Sequence, residues 1–468
     1  MYQTAGAVYK RIFWPLFIAM GLWNVFIITG CEPKKPAEQI IDEASTPEAR
    51  ASVVKAQIEH ALQAELLQAW YPRCVDTVYG GFLSDFSYDW QPDGQQNKFI
   101  VSQARQVWTA CKAAERYPDD LRYRQAADHG FKFLKEYMWD KEHGGFFELV
   151  NQQGEPVDAE KKAYGNSFGI YGLAAYARLT QSDEALDWAK KAFQWLDEHA
   201  HDPLDGGYYQ FMTREGTPYA SNAIGGKDSG LPAEKYKDQN SSIHLLEAFT
   251  ELYSVWPDSV LRERLQEMLE LIRDVQVRDF GSLTLFSFPD WQPVTFADSS
   301  RQYIEAHVHT DHVSFGHDIE TGFLLIEASE ALGLEHDEKT LTIAKKMVDH
   351  SIKTGWDEKN GGLFNGGYYF KGSEEIEIVL PGKDWWPQSE AMNALLLFSN
   401  HYPNEYYREY FYKQWDYVDQ YFIDHAHGGW YSAGLDAHPE ANREKKAHIW
   451  KTSYHTARAL FNALNWLE

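Results

Sequence analysis

Two histidines far apart in the chain, His317 in GHDIE and His455 in YHTAR, are of the residue type best suited to moving a proton near neutral pH. An imidazole with an ordinary pKa of about 6.5 can both give and take one. A third histidine, His244, lies in QNSSIH beside Asn240. Glu320 follows His317 by three residues, a spacing that puts both on one helix face, where a carboxylate orients an imidazole or raises its proton affinity. Arg105, with Arg458 in support, supplies fixed positive charge for a developing oxyanion. Tyr164, Trp385, Trp386, Trp450 and Glu390 complete a set whose tryptophan faces suit the apolar face of a sugar ring. Proton abstraction and return of this kind requires no hydride carrier, phosphate or metal, so no cofactor is expected. His307, His309 and His312 form another cluster, but it has no carboxylate or cysteine at a diagnostic ligand spacing, and no metal site is expected there.

Residues this distant act together only if the fold gathers them, and the chain repeats itself in a way that does so. DKEHGGFFELV carries Gly144 and Gly145, and the same turn recurs with Gly80 and Gly81, Gly206 and Gly207, Gly361 and Gly362, and Gly428 and Gly429. A degraded copy, RDFGSLTLF with Gly281, fills the one gap, and most copies lie roughly 60 to 80 residues apart. Between copies the chain reads mostly as pairs of amphipathic helices, such as SQARQVWTACKAAERY with LRYRQAADHGFKFLKEYMW, split by the breaker YPDD. The last helix, SYHTARALFNALNWL, pairs with the opening one around ASVVKAQIEHALQAELLQAWY.

Helices alternating in this way predict an all-α fold, a closed (α/α)6 barrel with six inner and six outer helices and short β-hairpins on one rim. Each Gly-Gly turn follows an outer helix, where glycine takes the positive φ that ends it. The inner helices then run parallel, and their first turns bring Arg105, Tyr164, Asn166, Asn240, His244, His317, Glu320, Trp385, Trp386, Glu390, Trp450, His455 and Arg458 to one rim.

The stretches QNSSIHLLEAFT, FGHDIETGFLLIEA, DWWPQSEA and IWKTSYHTARAL resemble, in order and over nearly the whole chain, the motifs of the N-acylglucosamine 2-epimerase superfamily. That group includes cellobiose, mannobiose and mannose 2-epimerases and aldose-ketose isomerases, and LFSFPDWQPV resembles the cellobiose branch in particular. The resemblance implies the same barrel, with His317 and His455 as acid and base and His244 assisting ring opening. It also implies Arg105 near a sugar oxygen, Asn240 as a ligand contact, Glu320 and Glu390 supporting the histidines, and Trp386 and Trp450 lining the site. Ser242 stands where many relatives have another histidine, and Phe323 where disaccharide enzymes often show tryptophan.

The expected activity is therefore epimerisation at C2 of the reducing-end aldose of an unphosphorylated mono- or disaccharide, such as mannose, cellobiose or mannobiose, or of an N-acylhexosamine. An aldose-ketose isomerase of the mannose/fructose type shares the enediolate and differs in reprotonating C1. A glycoside hydrolase is a weaker alternative because hydrolysis relies on two carboxylates at a set separation, and a surface sugar-binding lipoprotein explains the tryptophans but not the paired histidines.

Ahead of the barrel, Lys10 and Arg11 precede an apolar run from Ile12 to Ile28 that ends in Thr29-Gly30-Cys31. This reads as a lipoprotein-type signal peptide over residues 1–30 with Cys31 lipidated, a linker over 31–50 and the barrel over 51–468. The expected location is export, to the periplasm, with a lipid anchor in a bacterial membrane. A net charge of −25 opposes nucleic acid as a partner. Cys74 and Cys111 are expected to be structural thiols.

Overall fold

The computed structural model describes residues 47–224, 227–334, 337–403 and 405–467. The expected signal peptide, Cys31 and the linker as far as residue 46 lie outside the described residues. The chain divides after Arg50, and the unit that starts at Ala51 carries the barrel.

Among the described residues twelve long helices follow one another: α1 (Pro47–His60), α2 (Ile100–Arg116), α3 (Leu121–Phe133), α4 (Ala163–Thr180), α5 (Asp183–Ala200), α6 (Gln239–Tyr253), α7 (Ser259–Leu271), α8 (Phe315–Ala331), α9 (Glu338–Gly355), α10 (Trp385–His401), α11 (Tyr407–Tyr421) and α12 (Tyr454–Trp466). Burial tells the two rings apart. Fifteen of the 18 residues of α4 are buried, Ala163 through Ala177 without a break. In α5 burial is confined to one stripe that includes Ala185, Ala189, Ala192, Leu196 and Ala200, the spacing of a helix with one wet face. The even-numbered helices are the inner ring, each packed on the next, and α12 closes it against α2. Gly172 on α4 makes one of these approaches possible, since a Cβ there would come within 2.9 Å of the Ala104 carbonyl oxygen on α2. The last helix does meet the first: α12 packs on the π-turn Ala61–Leu67 that continues α1. The closing repeat is bonded there too, with Trp415 Nε1 donating to Gln57 Oε1 at 3.0 Å.

The repeated turn is a closed loop stabilised by an aspartate four residues ahead of its first glycine. Asp76, Asp140, Asp202, Asp357 and Asp424 each accept backbone N–H groups from the loop; Asp76 Oδ1, for example, accepts from Val78 and Tyr79 at 3.0 Å. The chain then passes through two glycines of positive φ, 76° and 66° at Gly144 and Gly145. Each aspartate also faces a lysine set just ahead of the next inner helix: Lys98, Lys161, Lys237, Lys383 and Lys446, at 2.9, 3.3, 2.7, 2.6 and 2.5 Å. Such buried charges persist only when paired. The sixth loop reverses the charges, with Arg278 in the aspartate's place and Asp311, four residues ahead of α8, as its partner; Val313 occupies the strand position where Lys98, Lys161 and Lys237 stand.

Two-residue strands link the repeats around the rim. Lys98–Phe99 pairs with Leu149–Val150, Lys161–Lys162 with Phe211–Met212, and Lys237–Asp238 with Phe286–Ser287. Over the rim, the connections 288–313 and 366–380 meet on a small apolar cluster of Phe296, Ile304 and Tyr368. Asp311 ties them together by accepting from Thr295 Oγ1, the Phe296 N–H and the Tyr368 hydroxyl. Cys74 and Cys111 are free and buried. No helix among the described residues is long and apolar enough to cross a membrane.

Candidate active site

A cavity of about 410 Å³ opens at the rim where the inner helices begin. Its lining includes Tyr164 and Asn240, the second residues of α4 and α6, His317, the third of α8, and Trp386, the second of α10, together with Trp450 just before α12. A helix rises about 1.5 Å per residue, so residues one turn further along form the layer beneath. Arg105, His244, Glu320, Glu390 and Arg458 lie there, and Glu247 is one turn deeper on α6.

The upper layer brings the expected histidines together. His317 on α8 and His455 on α12 flank α10 in the ring, and the Trp386 ring lies between them, 4.6 Å from the first imidazole and 5.9 Å from the second. His455 Nδ1 is 2.5 Å from Glu390 Oε1, and His244 Nδ1 is 2.8 Å from Glu247 Oε2. His317 Nδ1 meets the Ser314 hydroxyl at 2.7 Å. With Nδ1 occupied in all three, Nε2 is the nitrogen left for a substrate. Burial drives the three toward the neutral form: His317 and His455 fall well below the usual histidine range, and His244 is lowered despite the opposing pull of Glu247.

Glu320 does not support His317. It receives a hydrogen bond from Arg458, whose guanidinium also bonds Glu247 and, at 2.8 Å, Glu390. Arg458 thus hydrogen-bonds three buried acidic side chains, and the expectation that it assists a substrate oxyanion is corrected: both of its terminal nitrogens are committed to the protein. Glu320 and Glu390 are likewise fully buried behind the histidines rather than substrate contacts. Burial and the neighbouring Glu390 charge raise the Glu320 carboxyl well above the carboxylate range. Burial pushes Glu247 the same way, but Arg458 and His244 outweigh it and bring it to about 2. Arg105 lies beneath the rim, its guanidinium over Phe168 and Tyr454 and donating to the hydroxyl of Tyr164, a cavity-lining residue, at 3.1 Å.

Other expectations are sorted by the same geometry. Trp385 turns into the core beside His448 and Lys451 and does not line the cavity, whereas its neighbour Trp386 does. Trp450 is 45% exposed and lies against Phe99 and Tyr164, an open aromatic face at the mouth. Phe323 is fully buried under Arg458, so that position packs the charge cluster and does not meet a sugar. Asn166 serves the fold by accepting the Phe146 N–H at 2.9 Å. The histidine cluster divides: His307 lies against Tyr303, while His309 and His312 line the cavity with rings 5.9 Å apart. Ligand-type atoms converge instead at Glu320, Glu390 and His455. Arg458 already bonds both of those carboxylates, so the group fits a guanidinium rather than an ion.

Sequence reasoning missed Glu247, although His244 and Glu247 have the three-residue spacing applied to His317 and Glu320. It also missed Ser314, and the Glu148–Lys162 pair at 2.8 Å on the cavity wall.

A toroid of this kind is shared with solved sugar epimerases, and this protein is a carbohydrate epimerase or isomerase. The chain belongs to the N-acylglucosamine 2-epimerase (GlcNAc 2-epimerase) family, which it matches over residues 80–459. It is 29% identical over 414 residues to the cellobiose 2-epimerase of Bacteroides fragilis, covering 88% of this chain and 99% of that protein. It is 24% identical over 401 residues to the D-mannose isomerase of Marinomonas mediterranea, covering 85% and 94%. The solved structure of the cellobiose 2-epimerase from Bacillus thermoamylovorans superposes with a TM-score of 0.77 at 27% identity, over 88% of this chain and 99% of that one.

Proposed function

We propose that the protein epimerises C2 of the reducing-end aldose of an unphosphorylated mono- or disaccharide, with His317 and His455 as the two proton-transfer groups. The supporting observation is that imidazoles from α8 and α12 both lie against Trp386, which lines the cavity together with His317. In the proposed binding mode the sugar rests against that ring and each imidazole serves one face of C2. After ring opening, the step proposed for His244, one imidazole takes the C2 proton and the electron pair passes through C1 to the carbonyl oxygen. The Arg105 guanidinium stabilises the resulting enediolate. The other imidazole, which must first take up a proton from solvent, returns it to C2 on the opposite face, inverting C2 and leaving C1 as the aldehyde.

Incubation with mannose, cellobiose and mannobiose in D2O tests this. The epimer is expected to carry deuterium at C2, and an epimer without label there overturns the two-base mechanism. Similarity to a D-mannose isomerase favours one alternative, an aldose-ketose isomerase; a ketose labelled at C1 in the same experiment establishes it. The proposal includes export and a lipid on Cys31, supported by the basic flank and apolar run before it. Labelled fatty acid is expected in the protein and absent from Cys31→Ser.

A further inference from the structure

Of the three imidazoles at the site, His244 and His455 have a carboxylate on Nδ1, and His317 has a hydroxyl. The hydroxyl belongs to Ser314, the residue that precedes α8. A serine in that position ordinarily accepts an N–H from the first helical turn, yet this side chain makes no capping bond and is given to the imidazole instead. Its backbone is held as well, since Val313–Ser314 pairs antiparallel with Gly366–Tyr368 and the residue is buried. Ser314 therefore fixes where the His317 ring points.

Resting on the proposed epimerase reading, we infer that Ser314 is the positioning residue for His317 and, being a neutral partner, keeps that imidazole uncharged between turnovers, ready to accept the C2 proton. A carboxylate on Nδ1 favours the imidazolium, and a hydroxyl does so far less. The groups that act on His317 from other elements are imidazoles and not carboxylates, His244 on α6, His455 on α12 and His312 ahead of α8, and Trp386 on α10 covers the ring. Glu320 on its own helix is held away by Arg458.

The test uses Ser314→Ala, Ser314→Thr and Ser314→Asp beside His317→Ala, with circular dichroism and thermal melting to confirm folding. Ser314→Ala is expected to lower kcat about 10-fold or more with KM little changed, and Ser314→Thr to restore more than half of it. Ser314→Asp gives His317 an ionisable partner, so the acidic limb of the kcat/KM profile should move up by about one pH unit. Ser314→Ala with more than half of wild-type kcat and an unmoved profile, while His317→Ala is dead, overturns the inference alone. If His317→Ala is itself active, the epimerase assignment of His317 fails first.

Discussion

Arg278 donates from Nη2 to Asp311 at 3.0 Å in the sixth rim loop, with the arginine at the position where the other five loops have the aspartate that faces a lysine. The charges are exchanged and the pair is kept. An arginine cannot accept the loop's N–H groups, and the sixth loop is correspondingly shorter. It closes from the Arg278 N–H to the Ser282 carbonyl, where the intact loops close on their second glycine. Asp311 spends its remaining acceptor capacity on Thr295, Phe296 and Tyr368, which fastens the connections over the cavity to the barrel.

This ring of pairs predicts unequal costs of breaking them. Lys237 is fully buried against Asp202, so Lys237→Met strands a buried carboxylate and is expected to cost about 3–5 kcal/mol. Arg278 is 25% exposed, and Asp311 keeps three other donors when it is removed. Arg278→Met should therefore lower the urea midpoint by less than half as much, and equal shifts would contradict the role assigned to the Lys–Asp belt.

A second expectation concerns pH. Burial raises the Asp318 carboxyl to about 8, although its Oδ1 accepts the Leu283 N–H. A carboxyl raised in the folded state contributes stability that is complete below its unfolded pKa, near 4, and is lost as pH rises toward 8. Asp318→Asn keeps the acceptor and removes the titration. The variant should melt with a smaller fall in Tm between pH 5 and pH 8 than the parent, and an identical slope would show that Asp318 does not carry this dependence.

How much of this was legible in the sequence follows the range of each signal. The barrel came from helical periodicity and the repeated Gly-Gly turn, both local patterns that survive without knowledge of tertiary contacts. The aspartate was equally local, four residues ahead of each first glycine, but its lysine lies 21 to 35 residues further on at irregular distances and is revealed only by folding. The types of site residue were readable; their partners were not. The three-residue spacing offered His317–Glu320 and His244–Glu247 equally, and only the second forms, because Arg458 arrives from α12 to take Glu320. Trp385 and Trp386 are adjacent, so the roughly 100° turn between helical neighbours, whose phase is set by packing, decides which faces the cavity.

The charge cluster makes a further comparison available. Burial and the Glu390 charge already favour the protonated form of Glu320, and Glu320→Gln resembles that form in shape and charge. It is expected to keep more than about a third of wild-type kcat. Glu247 is held ionised at about 2 by Arg458 and His244, so Glu247→Gln removes a charge on which both depend. A loss of about 100-fold in kcat is expected, with the fold intact by circular dichroism. The reverse ranking would mean that His244 does not need its carboxylate.

The last expectation separates the two histidines by the face each serves. In His455→Asn, His317 can still remove the C2 proton of the epimer whose C2–H faces it, exchange that proton with solvent and return it to the same face. In D2O this variant should label one epimer at C2 without inverting it, and leave the other epimer unlabelled. His317→Asn should do the opposite, labelling only the epimer that the first variant spares. The enediolate is common to both, so ring opening and binding must survive for either exchange to be seen, which a mutation that merely unfolds the site would not allow. Nuclear magnetic resonance of the C2 position in each recovered sugar reads the outcome directly. If a single variant exchanges both epimers, one base reaches both faces and the assignment of His317 and His455 to opposite sides of the sugar is wrong.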